Sequence, residues 1–345
     1  MGFRKDIRVV NISLLASGRY VSHLFEADQN PVPLSVAREV YASDSKQVVY
    51  LTDREPTLPL TDAINIVIST DKDLKLDFNG DLYDQIPASR LFLTVAPENV
   101  PDYNRLYGES KPDTIWIDLE GNYLFMNNFC FLDMLSTNNF KRPLYFASTV
   151  SSENFLNLNQ YFRSEGIAFK IMPYKQPEPA KSYYVGSVDS EVQYNKLMHD
   201  LSFGDLPENL HYGDAHALFI SNYRMVYGRL IEKLVEENQS ARALEVLQYC
   251  IRNFSALRAK PDYFSLLLVE SAYKLKEPRL ADQLAGELLL TARKMQGSSD
   301  PGDYELRLKF EILRMLDELT EEYNAQSDLH REISAEFDAL KEIFN

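Results

Sequence analysis

The chain has 345 residues, 45% of them hydrophobic and 25% charged, enough to build the cores of two ordinary domains. Its formal net charge of −15 argues against a surface that tracks nucleic-acid phosphates or adheres to an anionic membrane, since both need clustered Lys and Arg. No apolar run approaches the roughly 20 residues of a bilayer span, and Met1 to Asp6 lacks the apolar region of a signal peptide. The abrupt entry into regular structure reads as the start of a piece cut from something longer.

Ile7 to Ser13 is a β-branched run and predicts a buried strand. Leu14 to Phe25 follows as a loop entering a helix, with Tyr20, Val21 and Leu24 on one face. Gln47 to Leu51 and Ile64 to Ser69 predict two more strands. Leu74 to Phe78, Asn79-Gly80 and Asp81 to Tyr83 predict a hairpin, because Asn-Gly suits a type I′ turn. Thr114 to Leu119 and Tyr123 to Phe125 predict a second. Asn127 to Ser136 reads as a helix burying Phe131, Leu132 and Leu135, and Pro143 to Thr149 as a strand. Glu153 to Ser164 reads as a helix closed by Gly166, and Ala168 to Pro173 as the next strand, together a right-handed βαβ unit. Residues 1–185 thus read as one α/β domain with a mixed sheet. Its last segment, Lys175 to Lys181, holds two prolines and reads as an extended linker.

Residues 186–345 read as an all-α domain of tetratricopeptide-like helical hairpins. Asp214 to Glu236 carries an apolar stripe of Phe219, Tyr223, Val226, Leu230 and Leu234. Ala241 to Phe254, Asp262 to Leu275 and Arg279 to Met295 follow as helices. A step of 38 residues carries Ala243 to Ala281, Leu247 to Ala285 and Ile251 to Leu289, and small residues there let helices approach closely. After Gly297 to Gly302 come helices from Tyr304 to Tyr323 and from Asp328 to Phe344, the last suited to capping the array.

Candidate chemistry is sparse. Counted from Asp77, the acidic stretch places Gly80 fourth and Ala88 twelfth, so it fails as a calcium loop. His211, Asp214 and His216 read as capping and surface residues rather than metal ligands, and no metal or other cofactor is expected. No nucleophile elbow, phosphate loop or dinucleotide fingerprint occurs. Cys130 and Cys250 lie in apolar helical runs and read as buried free thiols. Tyrosines 183, 184, 223, 227, 263 and 273 gather around the linker and first hairpins. A tyrosine has a flat apolar body and a polar tip, which suits sugar faces and peptide backbones, although at helical spacing it more often packs in a core. Asn222, Tyr223, Tyr227 and Arg229 on the first array helix are the candidate binding residues.

Four segments carry a family resemblance: Arg4 to Leu15, Phe129 to Val150, Leu158 to Pro173, and Tyr184 to Asp189 with the hairpins beyond. Together they resemble the C-terminal region of bacterial multi-pass membrane proteins in domain-of-unknown-function family 2723. That family is grouped with glycosyltransferase family 117 and a protein O-mannosyltransferase bearing tetratricopeptide-like repeats. The resemblance implies a non-catalytic accessory domain on the periplasmic side of the cytoplasmic membrane. It implies partners in the protein's own N-terminal membrane helices and an acceptor polypeptide or glycan, not nucleic acid. The catalytic carboxylate is expected in the membrane part, so no catalytic residue carries over. Two other readings stand beside it: a self-contained α/β enzyme with a pocket near Ser13 and Thr149, and a spacer without ligand.

Overall fold

A computed structural model describes residues 7–25, 31–42, 48–99, 114–179, 181, 184–201, 214–254, 261–295, 300 and 302–344. The chain divides into two compact units, one of residues 1–163 and 169–187, the other of 164–168 and 188–345. The first mixes strands and helices and the second is helical, as the sequence implies.

The first unit opens differently from expectation. Residues 7–11 form no strand, and Ile7 and Val9 are exposed. The Asn11 side chain accepts from the amides of Ser13 and Leu14, which starts a 3-10 turn over Ile12–Ala16 and ends the extended backbone. Helices α1 (Gly18–Phe25) and α2 (Arg38–Tyr41) follow. β1 (Val48–Glu55) and β2 (Leu58–Pro59) lead into α3 (Leu60–Ile68), where the sequence predicts a strand. β-branched residues cost a helix only tenths of a kcal/mol each. Leu60, Ala63, Ile64 and Val67, at helical spacing, bury one face of α3 and decide the matter. Lys75 Nζ then donates to the Val67 carbonyl (2.8 Å) at the helix end and pairs with Asp84 (2.6 Å).

β3 (Leu76–Phe78) and β4 (Asp81–Tyr83) form the expected hairpin, with Asn79 and Gly80 both at positive φ. β5 (Gln85–Ala88), β6 (Arg90–Thr94), β7 (Thr114–Asp118) and β8 (Tyr123–Phe125) complete two three-stranded sheets, in the orders β5-β1-β8 and β2-β6-β7. β1 runs parallel to β5 and antiparallel to β8. β7 and β8 are therefore not a hairpin: Val49 and Leu124 fill one sheet, Ile115 and Ile117 the other.

α4 (Met126–Asn138) is buried along most of its length. Its Asp133 is wholly inaccessible and accepts from the Ser35 amide (3.0 Å) and hydroxyl (2.6 Å), the Val36 amide (3.1 Å), the Tyr41 hydroxyl (2.7 Å) and the Thr137 hydroxyl (3.1 Å). After β9 (Tyr145–Ala147), the predicted helix over 153–164 is absent. Leu156 and Asn157 sit at positive φ between two 3-10 turns, and the stretch continues as β10 (Phe162–Glu165). Residues 155, 156, 158 and 161–165 are all buried, and a one-faced helix cannot bury so continuous a run. Gly166 is accordingly the turn between β10 and β11 (Ala168–Ile171), and a two-residue connection closes only an antiparallel pair. The βαβ reading is replaced by a hairpin, whose sheet runs β12-β10-β11-β9 with β12 at Ser187–Val188.

In the second unit, α5 (Ser190–Asn195) ends in a π-helical turn over Lys196–Asp200. Buried Gln193 accepts from the Gly166 amide and donates to its carbonyl. α6 (Asp214–Glu236), α7 (Ser240–Phe254), α8 (Tyr263–Lys274), α9 (Pro278–Lys294), α10 (Tyr304–Asn324) and α11 (Asp328–Phe344) match the predicted helices closely. Each helix packs on its hairpin partner, and α6, α8 and α10 stack in succession. Of the positions joined by the 38-residue step, Ala243, Leu247, Ala281, Ala285 and Leu289 are buried and Ile251 is half-buried. Where α6 meets α8, a Cβ on Gly228 would lie 2.5 Å from Leu267 Cδ2.

Asp133→Ala removes five acceptor contacts at once and leaves buried donors unmet. It should lose about 3–5 kcal/mol of stability in urea unfolding. Ser35→Ala, which keeps both backbone donors, should lose about 1 kcal/mol.

Candidate functional site

The four sequence-designated residues all lie on α6, but in two environments. Tyr227 is fully buried: its hydroxyl donates to the Leu197 carbonyl (3.0 Å) and its ring stacks on Tyr249 at 5.7 Å. Burial drives its ionisation well above the ordinary phenol range. Arg229 is also buried. Asn222 and Tyr223 are half-exposed. Asn222 donates to the Leu218 carbonyl (3.0 Å), and the Tyr223 ring stacks on Phe254 at 4.8 Å.

The predicted stripe on α6 is also turned at its start. Ile220 is buried where Phe219 was expected, and Leu218 and Phe219 are 59% and 55% exposed. Spacing by four places Leu218 beside Asn222 and Phe219 beside Tyr223. The accessible part of the site is therefore this four-residue face, with Tyr227 and Arg229 behind it.

Arg224 is the residue that sequence reasoning missed. It is fully buried, donating from Nε to the Phe254 carbonyl (2.8 Å) and pairing through Nη1 with Asp262 (3.0 Å). Asp262 in turn caps α8, accepting from the Ser265 amide at 2.8 Å in a capping box. One guanidinium thus ties the end of α7 to the start of α8. The available signal was an arginine one turn before Tyr227, inside the apolar stripe.

In the first unit, Tyr41, Cys130 and Asp133 form the most concentrated buried polar group. Desolvation, reinforced by Asp133, pushes the Cys130 thiol up to about 12, and burial raises the Tyr41 hydroxyl far above its usual range. Neither is an ionised nucleophile near neutrality. Cys250 is likewise buried and pushed to about 12 by desolvation, and both cysteines are free. The pocket imagined near Ser13 and Thr149 loses its basis. Ser13 lies on an exposed 3-10 turn rather than at the end of a strand, and Thr149 is exposed in a turn, while β1–β5 and β2–β6 run parallel elsewhere in the unit. Of the histidine cluster, His211 and the Asp214 side chain lie outside the described residues, and His216 is exposed. Among the described residues no group of three or more His, Cys, Asp or Glu could hold a metal ion. No helix among them is long and apolar enough to cross a membrane.

This is a two-unit chain whose first unit carries a family signature. The model of TMEM260-associated domain 2 matches residues 1–192, more than half of the chain, and the chain belongs to that family. No curated protein and no solved structure matches it.

The raised thiols make alkaline stability a test of this packing. A folded value of about 12 exceeds the unfolded value of ~8.5, so the folded state holds its protons longer. That contribution is whole below pH ~8.5 and is lost as pH rises toward 12. Replacing both cysteines by alanine should flatten this limb of a stability–pH profile, and a thiol reagent should label neither cysteine until the chain is unfolded. Tyr227→Phe should cost about 1 kcal/mol and Tyr227→Ala about 3–5, read from thermal unfolding.

Proposed function

We propose that this chain is the non-catalytic, extracytoplasmic accessory region of a multi-pass membrane glycosyltransferase-like protein of domain-of-unknown-function family 2723 and glycosyltransferase family 117. The observation that carries the reading is the match of residues 1–192 to a domain associated with a membrane-protein family. The burial of the most strongly shifted thiols and phenols supports a role other than catalysis, since a nucleophile or general base must be reachable. The first unit docks on the protein's own membrane helices at the periplasmic face. The helical array holds an acceptor polypeptide or partner on the face of Leu218, Phe219, Asn222 and Tyr223. Exposed apolar groups beside a polar amide suit such a ligand.

Two measurements test this. A periplasm-dependent reporter fused after Asn345 of the complete gene product should be active; an inactive fusion places the region in the cytoplasm and ends the proposal. Phe219→Ser with Tyr223→Ser should raise KM for the acceptor about tenfold at little cost in kcat. Unchanged kinetics in that variant would leave the array a spacer.

A further inference from the structure

The β3–β4 hairpin holds a reactive peptide bond, and its chemistry is independent of the function proposed above. Asn79-Gly80 is the one Asn-Gly pair in the sequence. An asparagine loses its side-chain amide when the backbone nitrogen of the next residue attacks its Cγ. A side chain on that next residue crowds the nitrogen, and glycine has none. Both residues are exposed, and nothing lies within 4 Å of where a Cβ on Gly80 would stand. The register pairs Phe78 with Asp81, so the Gly80 nitrogen lies outside the ladder. Its N–H donates instead to Asp77 Oδ1 at 2.8 Å. The nitrogen that must act as nucleophile therefore already shares its proton with a carboxylate.

Ring closure needs the Asn79-Gly80 peptide to rotate, and little opposes it. β3 and β4 form a sheet of two strands, and all of β4 is exposed. Such a ribbon is marginal by itself and opens locally at small cost. Two other asparagines at positive φ lack this combination. Asn139 accepts from the Ala96 amide and donates to the Thr94 carbonyl, and Phe140 follows it. Asn238 is exposed, but the next nitrogen, that of Gln239, is held by the Leu234 carbonyl at 2.8 Å. Around the hairpin, Asp81 flanks the turn, Tyr83 packs on Tyr50, and Lys75 and Asp84 pair with each other. Asp77 is the group bonded to the Gly80 nitrogen.

We infer that Asn79 is a self-modifying site: it deamidates, with the Gly80 nitrogen as nucleophile and Asp77 as proton acceptor. The Gly80 nitrogen gives its proton to Asp77 and bonds to Asn79 Cγ. The Cγ–Nδ2 bond breaks, ammonia leaves with that proton, and a succinimide ring remains. Water then opens the ring at either carbonyl. One opening gives aspartate, the other isoaspartate, in which the main chain runs through the former side chain. One water is taken up, one ammonia is released, and nothing is oxidised or reduced. Isoaspartate adds a methylene to a two-residue turn and a carboxylate beside Asp77 and Asp81, so the hairpin loses its register.

The test ages the whole chain in buffer and follows the tryptic peptide Leu76 to Arg90, in which Asn79 is the only asparagine, by mass spectrometry. The peptide should gain about 1 Da with time, and an isoaspartate methyltransferase should then methylate it. Asn79→Gly, which keeps a residue suited to positive φ, should abolish both signals. The role of Asp77 is read from the pH profile. The parent rate should change less than about tenfold between pH ~6 and ~8, whereas Asp77→Ala should follow hydroxide at about tenfold per unit and lie about tenfold or more below the parent at pH ~6. Both substituted side chains are exposed, and circular dichroism checks that each variant folds. An Asn79 that stays intact in the folded chain while it deamidates in guanidinium overturns the inference. So does an Asp77→Ala profile that superimposes on the parent's. Neither result bears on the reporter fusion or the acceptor kinetics.

Discussion

A charge sealed from water must be met by oriented dipoles or by an opposite charge, because its hydration is lost on folding. Each unit of this chain contains a fully buried case. In the first, the Asp133 carboxylate gathers two backbone amides and two hydroxyls from residues more than ninety positions away, and a third hydroxyl, Thr137, from the next turn of its own helix. Residues 35–41 hold their place against α4 through that one side chain as well as through apolar contact. In the second, the Arg224 guanidinium spans from the last carbonyl of α7 to the cap of α8. Apolar packing supplies most of the stabilisation in both units, but it is non-directional. The buried charges fix which arrangement of the packed elements is the native one.

This division explains what could be read from the residues and what could not. The array helices were legible to within a residue or two, because each has one apolar stripe and an adjacent helix as partner, and three open on a capping aspartate or a proline. Asp262 and Asp303 announce their helices locally. The α/β unit was read less well, and each error has a tertiary cause. α3 is β-branched but buries a face with helical spacing. Residues 153–164 look helical by composition, yet 155, 156, 158 and 161–165 form too continuous a buried run for one helix face, with Phe155 and Phe162 packed among Phe146 and Phe169. Ile7 to Ser13 has strand propensity, but Asn11 offers its carbonyl to the backbone ahead of it and the chain turns. In all three, a non-local partner or a local side-chain bond outweighed propensity.

The candidate site divides along the same line. Spacing placed Tyr223 and Tyr227 on one helix face, and both do lie there. It could not tell which end of that face meets solvent, because that depends on Tyr249, Phe254 and Leu197 arriving from elsewhere in the chain. Arg224 was illegible for a related reason. A buried arginine is intelligible only with its acceptor and counter-ion, 30 and 38 residues away.

Reactivity needs an ionisable group that is both perturbed and reachable. Among the described residues the strongly shifted groups are Tyr41, Cys130, Tyr227, Cys250 and Tyr273, and all five are buried. The shifted carboxylates that water does reach are Glu191 and Asp200. Arg242 holds the first below its ordinary range and Lys196 the second, in ion pairs at the surface of the helical unit. Among the described residues, exposed apolar side chains include Leu218 and Phe219 on α6 and Phe78, Tyr123 and Phe125 in the first unit. Such surfaces gain free energy by being covered, not by making or breaking bonds. The buried charges of Asp133 and Arg224 hold the packed elements of each unit in place.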